Sequence, residues 1–528
     1  MTDRHGHRDA AGPGETGQTP AEPSGSLADE PSSLEDPRKD VPDETSASSR
    51  RPGRFSTKSV IEVGARGIIG ALLVGVAIVA VTSATALTGP IHAVTPPTVT
   101  VTPVPTVQQR VCPGPLLRLG DDAGQGASTA TSVGNAAVSF ASIPAGAESA
   151  ELAATDDTAG VAPLQLTLPP ATAGSTVDPK LAGSQTQNIT TGDLVGLSAG
   201  ECAEASGDTW LVGGATDVGR TTIITLSNPT PVNATVALSI FGEAGQVDSS
   251  GAEGIVVPPG TQRILSLAAF APGILSPVVR VESRGGQVVA NLQQSIVRTL
   301  APGGVEIVGA TAPPAMRTLI PGLVVTSADG VEGVLSEPGF ADIETVVRLL
   351  APGDDDATAT VTVTPENDSV EATTFDIDLP AGEVSEVPVA GLVNGTYSVA
   401  VESDVPVVAG ARVSTVTATG AADFAWLGSS SPLGDPALVR VAAGPSPRLH
   451  LANPTDTNVS VTVESGAGGR EVTVPAGGSV STTVTAGSNA AIGASGLIGA
   501  VTYSGPGRLA ALGLTTPGPG ATDITVYR

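Results

Sequence analysis

Five residues, Gly196-Leu197-Ser198-Ala199-Gly200, spell the Gly-x-Ser-x-Gly pattern. In α/β-hydrolases that pattern lifts a nucleophilic serine onto a sharp strand-to-helix turn, with an acid and a histidine following in the chain. His450 is the only histidine after Ser198, and no alternation of strand and helix patterns surrounds the serine. With 65 Gly in the chain and abundant Ser and Ala, a chance match is expected. Acid–base chemistry by histidine is poorly supplied, because beyond Arg66 only His92 and His450 occur. His450 alternates with Leu449 and Leu451 and is expected as a solvated or hydrogen-bonded strand residue. The carboxylates are numerous enough for a paired-acid glycosidase, so their count does not decide that class. Asp354-Asp355-Asp356 follows a Pro-Gly turn but lacks the spaced ligands and distal Glu of a strong Ca²⁺ loop, so a solvated turn is expected. Asp376 and Asp378 alternate on one face, expected to be the exposed one.

Trp210 and Trp426 are the remaining candidates. An exposed indole can stack on a sugar ring, whereas a buried one packs. With two Trp and three Tyr the chain is poor in such platforms, and both Trp precede a Leu at corresponding places before repeated segments. They are read as packing at module junctions, with a ligand platform as the alternative. Asn-x-Ser/Thr sequons at Asn188, Asn233, Asn367, Asn394 and Asn458 carry little weight outside a eukaryotic secretory pathway. No catalytic residue, metal ligand or cofactor is assigned.

The elements that would position these residues are short strands. From Cys112 onward, runs of Val, Thr, Leu and Ile alternate with small or polar residues between Gly and Pro turns, as in TVALSIF (235–241), TATVTVT (358–364) and VSVTVES (459–465). No helix longer than two turns is expected. The strands recur as a set. Leu226-Ser227-Asn228-Pro229-Thr230 is matched by Leu451-Ala452-Asn453-Pro454-Thr455 and more loosely by Leu350-Ala351-Pro352-Gly353. In these endings Asn initiates a turn and Pro stops the ladder. The fold class expected is all-β, as tandem immunoglobulin-like sandwich modules at 209–312, 313–420 and 421–528. A divergent β-module at 110–208 is expected to be closed by a Cys112–Cys202 disulfide.

Residues 1–59 are polar and poor in large apolar side chains, so a disordered tail is expected. Residues 67–87, GIIGALLVGVAIVAVTSATAL, hold ten Leu, Ile or Val and no charge, enough to span a bilayer as one helix. Arg50, Arg51, Arg54, Lys58 and Arg66 precede it, which places the N-terminus in the cytoplasm and the bulk outside, on an uncleaved signal anchor. The Pro/Thr-rich stretch 88–109 is expected to be an extended stalk. The net charge of -27 falls mainly beyond Arg66. Nucleic-acid binding is excluded by this acidity, and a cysteine zinc site by the two cysteines.

The order Trp210-Leu211-x-Gly213-Gly214-x-Thr216, Leu226-x-Asn228-Pro229, a Pro-Pro-Gly turn, then Val-x-Ser and Val-Val-Ala strands resembles a family of actinobacterial envelope proteins of unknown function. Members carry a membrane anchor and a β-rich ectodomain and are often encoded beside a cell-envelope glycosyltransferase. The resemblance implies location and fold, and brings no catalytic residues. It makes envelope proteins or cell-wall glycans the expected partners of a cell-membrane protein whose C-terminal ectodomain is extracytoplasmic. The function expected is a non-catalytic scaffold or interaction protein linked to cell-envelope glycan assembly, with a glycan-binding module as the alternative and a hydrolase third.

Overall fold

The computed structural model describes residues 98–101, 107–120, 130–154, 158–170, 179–366, 371–434, 436–466, 468–493, 496–515 and 524–527. The expected tail (1–59), the apolar segment 67–87 and most of the stalk lie outside the described residues. Among those described, no helix is long and apolar enough to cross a membrane.

The described chain is β-rich, with one short α-helix, Ala328–Val334. Alternation sets the strands. In Ala234–Gly242, Val236, Leu238 and Ile240 point inward while Thr235, Ala237 and Ser239 point out. The same reading holds for Ala357–Pro365 and Val459–Ser465.

Three pairs of antiparallel sheets follow one another. The first stacks Asp208–Val212, Val278–Gly285 and Ala234–Gly242 on Ala301–Val308, Val289–Arg298, Arg220–Asn228 and Thr261–Ser266. Leu211, Val236, Ile240, Leu226 and Leu292 fill the space between. In the second pair one strand, Gly395–Val416, is 22 residues long. Its first half pairs with Ala315–Val325 and Ala357–Pro365, and its second half with Val346–Leu350 and Ala422–Gly428. The third stacks the sheet built on Val459–Ser465 against one ordered Ser479–Thr483, Arg448–Ala452, Ile498–Gly505, Arg508–Gly513. Ahead of these, residues 107–206 form smaller sheets over a core of Leu166, Leu168, Leu181 and the Cys112–Cys202 disulfide. A bridge across 90 residues removes considerable freedom from the unfolded chain.

The last strand of each region is the edge of its sheet: Gly196–Glu201, Ala301–Val308, Ala422–Gly428 and Arg508–Gly513. These four edges pack against one another in a closed cycle about a common axis. Outer sheets then rest on the next region's inner sheet. Leu117 and Ala130 lie on Ile223 and Ile264. Trp210, Phe241 and Val278 lie on Leu350, Val384 and Val408, and Leu319 on Ala452 and Ile498. The cycle closes where the Ser184 and Thr186 hydroxyls donate to the Arg440 and Ala443 carbonyls. Edges that would otherwise invite foreign strands cover each other.

The expected boundary at 420/421 does not match the sheets. Thr417–Ala421 is a hairpin turn inside the second pair, closed by Thr417 N–H donating to Ala421 O, and Ala422–Gly428 pairs back onto Gly395–Val416. Trp426 therefore ends the second region, whereas Trp210 begins the first. The Trp-Leu repetition suggests equivalent places, but a turn signal alone does not separate a hairpin from a linker.

Candidate functional site

The axis is where charged groups converge. Asp423 follows Ala422 in an apolar strand and is fully buried. Its Oδ2 accepts the backbone N–H of Leu197 (2.9 Å) and of Leu509 (3.2 Å), and Oδ1 that of Val305 (3.4 Å). One side chain thus serves the edge strands of the three other regions. Gly196 is needed for this approach, because a Cβ there would lie 2.7 Å from Asp423 Oδ1 and 2.8 Å from Val305 N. Burial pushes the Asp423 carboxyl up to about 8, against the downward pull of the N–H donors and Arg508. Glu306 is equally buried. Its Oε1 accepts from Ala199 N–H (3.1 Å) and Ile307 N–H (2.9 Å), Oε2 is unpartnered, and burial holds the carboxyl well above its ordinary range.

Toward the far end of the same strands, burial raises the Glu201 carboxyl while Arg110, 3.1 Å away, opposes the shift. Thr515 donates its hydroxyl to Glu201 at 2.7 Å, and Arg110 donates to Cys202 O (2.9 Å) and Thr515 O (3.2 Å). The N-terminal region is thereby tied to the third pair. A cavity of about 40 Å³ lies beside Glu201, Asn291, Trp426 and Thr515. That is room for water rather than a substrate.

Between the first and second pairs, Arg348 is fully buried. It donates to Glu386 (2.6 Å), to Gly214 O (3.0 Å) and to Pro277 O (2.9 Å), and its guanidinium lies 4.5 Å from the Trp426 ring centroid. Burial raises the Glu386 carboxyl, but Arg348 and Arg412 outweigh it and leave Glu386 below its ordinary value. Trp426 Nε1–H donates to Gln294 Oε1 at 2.6 Å. Trp210 stacks on Phe241 at 6.0 Å between centroids. Both indoles are buried at the junction of the first and second pairs.

The other candidates are not brought together. Ser198 sits in the middle of an extended strand, buried, with Oγ unpartnered and no helix following. His450 is buried between the second and third pairs, with Nδ1 3.1 Å from Glu366 Oε1 and Nε2 2.8 Å from Thr502 Oγ1. It is hydrogen-bonded, and not solvated. Asp354, Asp355 and Asp356 lie in an exposed turn, where Asp356 accepts Ala381 N–H, and Asp376 accepts the Thr360 hydroxyl. Among the described residues no three His, Cys, Asp or Glu side chains converge as metal ligands. Asn228 and Asn453 bracket their turns in the same way, Asn453 adding a donation to Pro475 O. Each accepts the N–H and hydroxyl of the Thr two residues on and donates Nδ2–H across the turn.

Sequence reasoning passed over Asp423, Glu306 and Arg348. The available signal was a single charge flanked by apolar residues, in ADFAWL, GVEIV and VVRLL. Chemically the axial acids accept backbone N–H groups, with no substrate-sized space beside them.

Fold and site together define a β-rich protein of repeated sheet pairs whose buried polar side chains join one repeat to the next. The chain belongs to a family of unknown function, DUF5719, which matches residues 152–485. No curated protein matches it. A solved structure titled "Crystal structure of tetra-tandem repeat in extending region of large adhesion protein" is similar at 15% identity, covering 72% of this chain and 91% of that one, with a TM-score of 0.10. That score supports no structural argument.

Proposed function

We propose that this protein is a non-catalytic scaffold or interaction protein of the cell envelope, held by one N-terminal helix, with immunoglobulin-like modules outside the membrane. The observation that carries the reading is the use of the buried polar groups. Asp423, Arg348, His450 and Arg110 each bind a neighbouring region, and none faces a substrate-sized cavity. Anchoring is supported by the charge-free segment 67–87 and the basic residues before it. An extracytoplasmic setting is supported by the disulfide, since such bonds persist in oxidising compartments. The link to envelope glycan assembly rests on the sequence resemblance. Burial of Trp210 and Trp426 argues against their serving as a sugar platform. Protease added to intact cells is expected to digest residues beyond 109 and to spare residues 1–66. Digestion of the tail with protection of the C-terminal regions would contradict the reading.

A further inference from the structure

A cleft of about 600 Å³ lies on the outer sheet of the first sheet pair, away from the axial acids. Its origin is a departure from regular pairing. After the hairpin at Gly245–Gln246, the chain runs back along strand Ala234–Gly242. Val247 N–H donates to Ile240 O (2.8 Å) and Leu238 N–H to Ala252 O (2.8 Å), and Ile255–Val257 resumes the ladder. Residues 248–251 between those bonds leave the sheet edge. Gly251 (φ 85°) and Gly254 (φ 72°) supply the left-handed backbone that the excursion requires. One wall is therefore a rigid strand and the other a segment fixed at both ends, so the cleft is formed before any ligand arrives.

The lining is polar and of mixed sign. Thr235 and Ser239 offer hydroxyls, Asp248 and Glu253 carboxylates, and Arg284 a guanidinium. Glu282 is already held by Arg280 at 3.4 Å. Among the described residues Asp248, Glu253 and Arg284 have no ion-pair partner, although all three border one cleft. The mixture selects among ligand classes. Acceptors and donors side by side suit hydroxyl groups, which both donate and accept. The excess of carboxylate repels phosphates and sulfates. The carboxylates do not group as metal ligands. The cleft volume suits a ligand of a few hundred daltons.

We infer that this cleft binds a short oligosaccharide without negative charge, neutral or amino-bearing, through Ser239, Asp248, Glu253 and Arg284. The site is separate from the axial polar groups and does not depend on the scaffold reading or on membrane anchoring.

The test is saturation-transfer NMR on the full chain with chitotriose, cellotriose and maltotriose, and a sulfated trisaccharide as the anionic control. Binding of at least one of the uncharged or amino sugars is expected, with little or none of the sulfated one. Asp248→Asn with Glu253→Gln is expected to weaken it at least tenfold. Both acids are exposed, so this variant should fold, and unchanged exchange protection of the Leu197 and Leu509 amides would verify it. Absence of transfer from all three sugars, binding that the double variant leaves unchanged, or preference for the sulfated sugar would each overturn the inference. Failure of the protease experiment would leave this result unaffected, so the two readings fail separately.

Discussion

Replacing Asp423 by Ala removes the one side chain that accepts from three regions at once. Leu197, Val305 and Leu509 would each lose an acceptor in a place that water does not reach. A buried unsatisfied donor costs about 1–3 kcal/mol, so the three together cost roughly 3–9 kcal/mol. A typical domain is stable by only about 5–15 kcal/mol, which makes the loss comparable to the whole. Asp423→Asn should cost far less. Its side-chain oxygen can face Leu197 and Leu509, leaving the amide nitrogen toward the longest contact, Val305 at 3.4 Å. Because a chain with several cores need not unfold in one step, a single unfolding midpoint is a poor readout. Native-state hydrogen exchange at the three amides is the better one. In Asp423→Ala all three should exchange faster by two orders of magnitude or more, while Ile240, in the core of the first sheet pair, keeps its protection. If the three amides kept wild-type protection, or if only one of them changed, the axial reasoning would be wrong.

Other outcomes follow from the same contacts. Asp423 carries its proton up to about pH 8 when folded but releases it near 3.8 when unfolded, so the folded state binds more protons between those values. Stability should then fall as pH rises from 5 to 7, by up to about 1.4 kcal/mol per unit from this group, with Glu306 acting in the same direction. Exchange protection factors of the Leu197 and Leu509 amides, corrected for the intrinsic pH dependence of exchange, check the sign across that range, and protection that rises with pH contradicts it. Arg348→Ala leaves the partly buried Glu386 without its main partner, together with the Gly214 and Pro277 carbonyls. About 3–5 kcal/mol should be lost at the junction of the first and second pairs, reported by Trp426 fluorescence. Asn228→Ala and Asn453→Ala remove matching hydrogen-bond sets and should destabilise their own sheet pairs by similar amounts, within about 1 kcal/mol of each other, as read by local exchange.

The strands were legible because Val, Thr and Ile alternate with polar residues in segments such as 235–241 and 459–465, and one solvated face keeps that pattern clear. The Asn-Pro-Thr turns were legible for a similar reason, since Asn228 and Asn453 act within a few residues of themselves. The axis was not. Gly196–Glu201 and Arg508–Gly513 are strands of small residues buried on both faces, and their Gly and Ala content reads as loop. Asp423 makes its bonds to residues 86 to 226 positions away, and no local pattern encodes such partners. The same distance explains the misplaced module boundary. Thr417–Ala421 carries the composition of a linker, and only the return pairing onto Gly395–Val416 reveals a hairpin.

Solution scattering from residues 96–528 tests most directly whether the four edge strands close on one axis. A compact unit of this size has a radius of gyration of about 22 Å, whereas four modules strung end to end would approach roughly 40 Å. The closed cycle predicts a value near the first for the wild-type protein. A value near the second, with the sheets intact by circular dichroism, would contradict it.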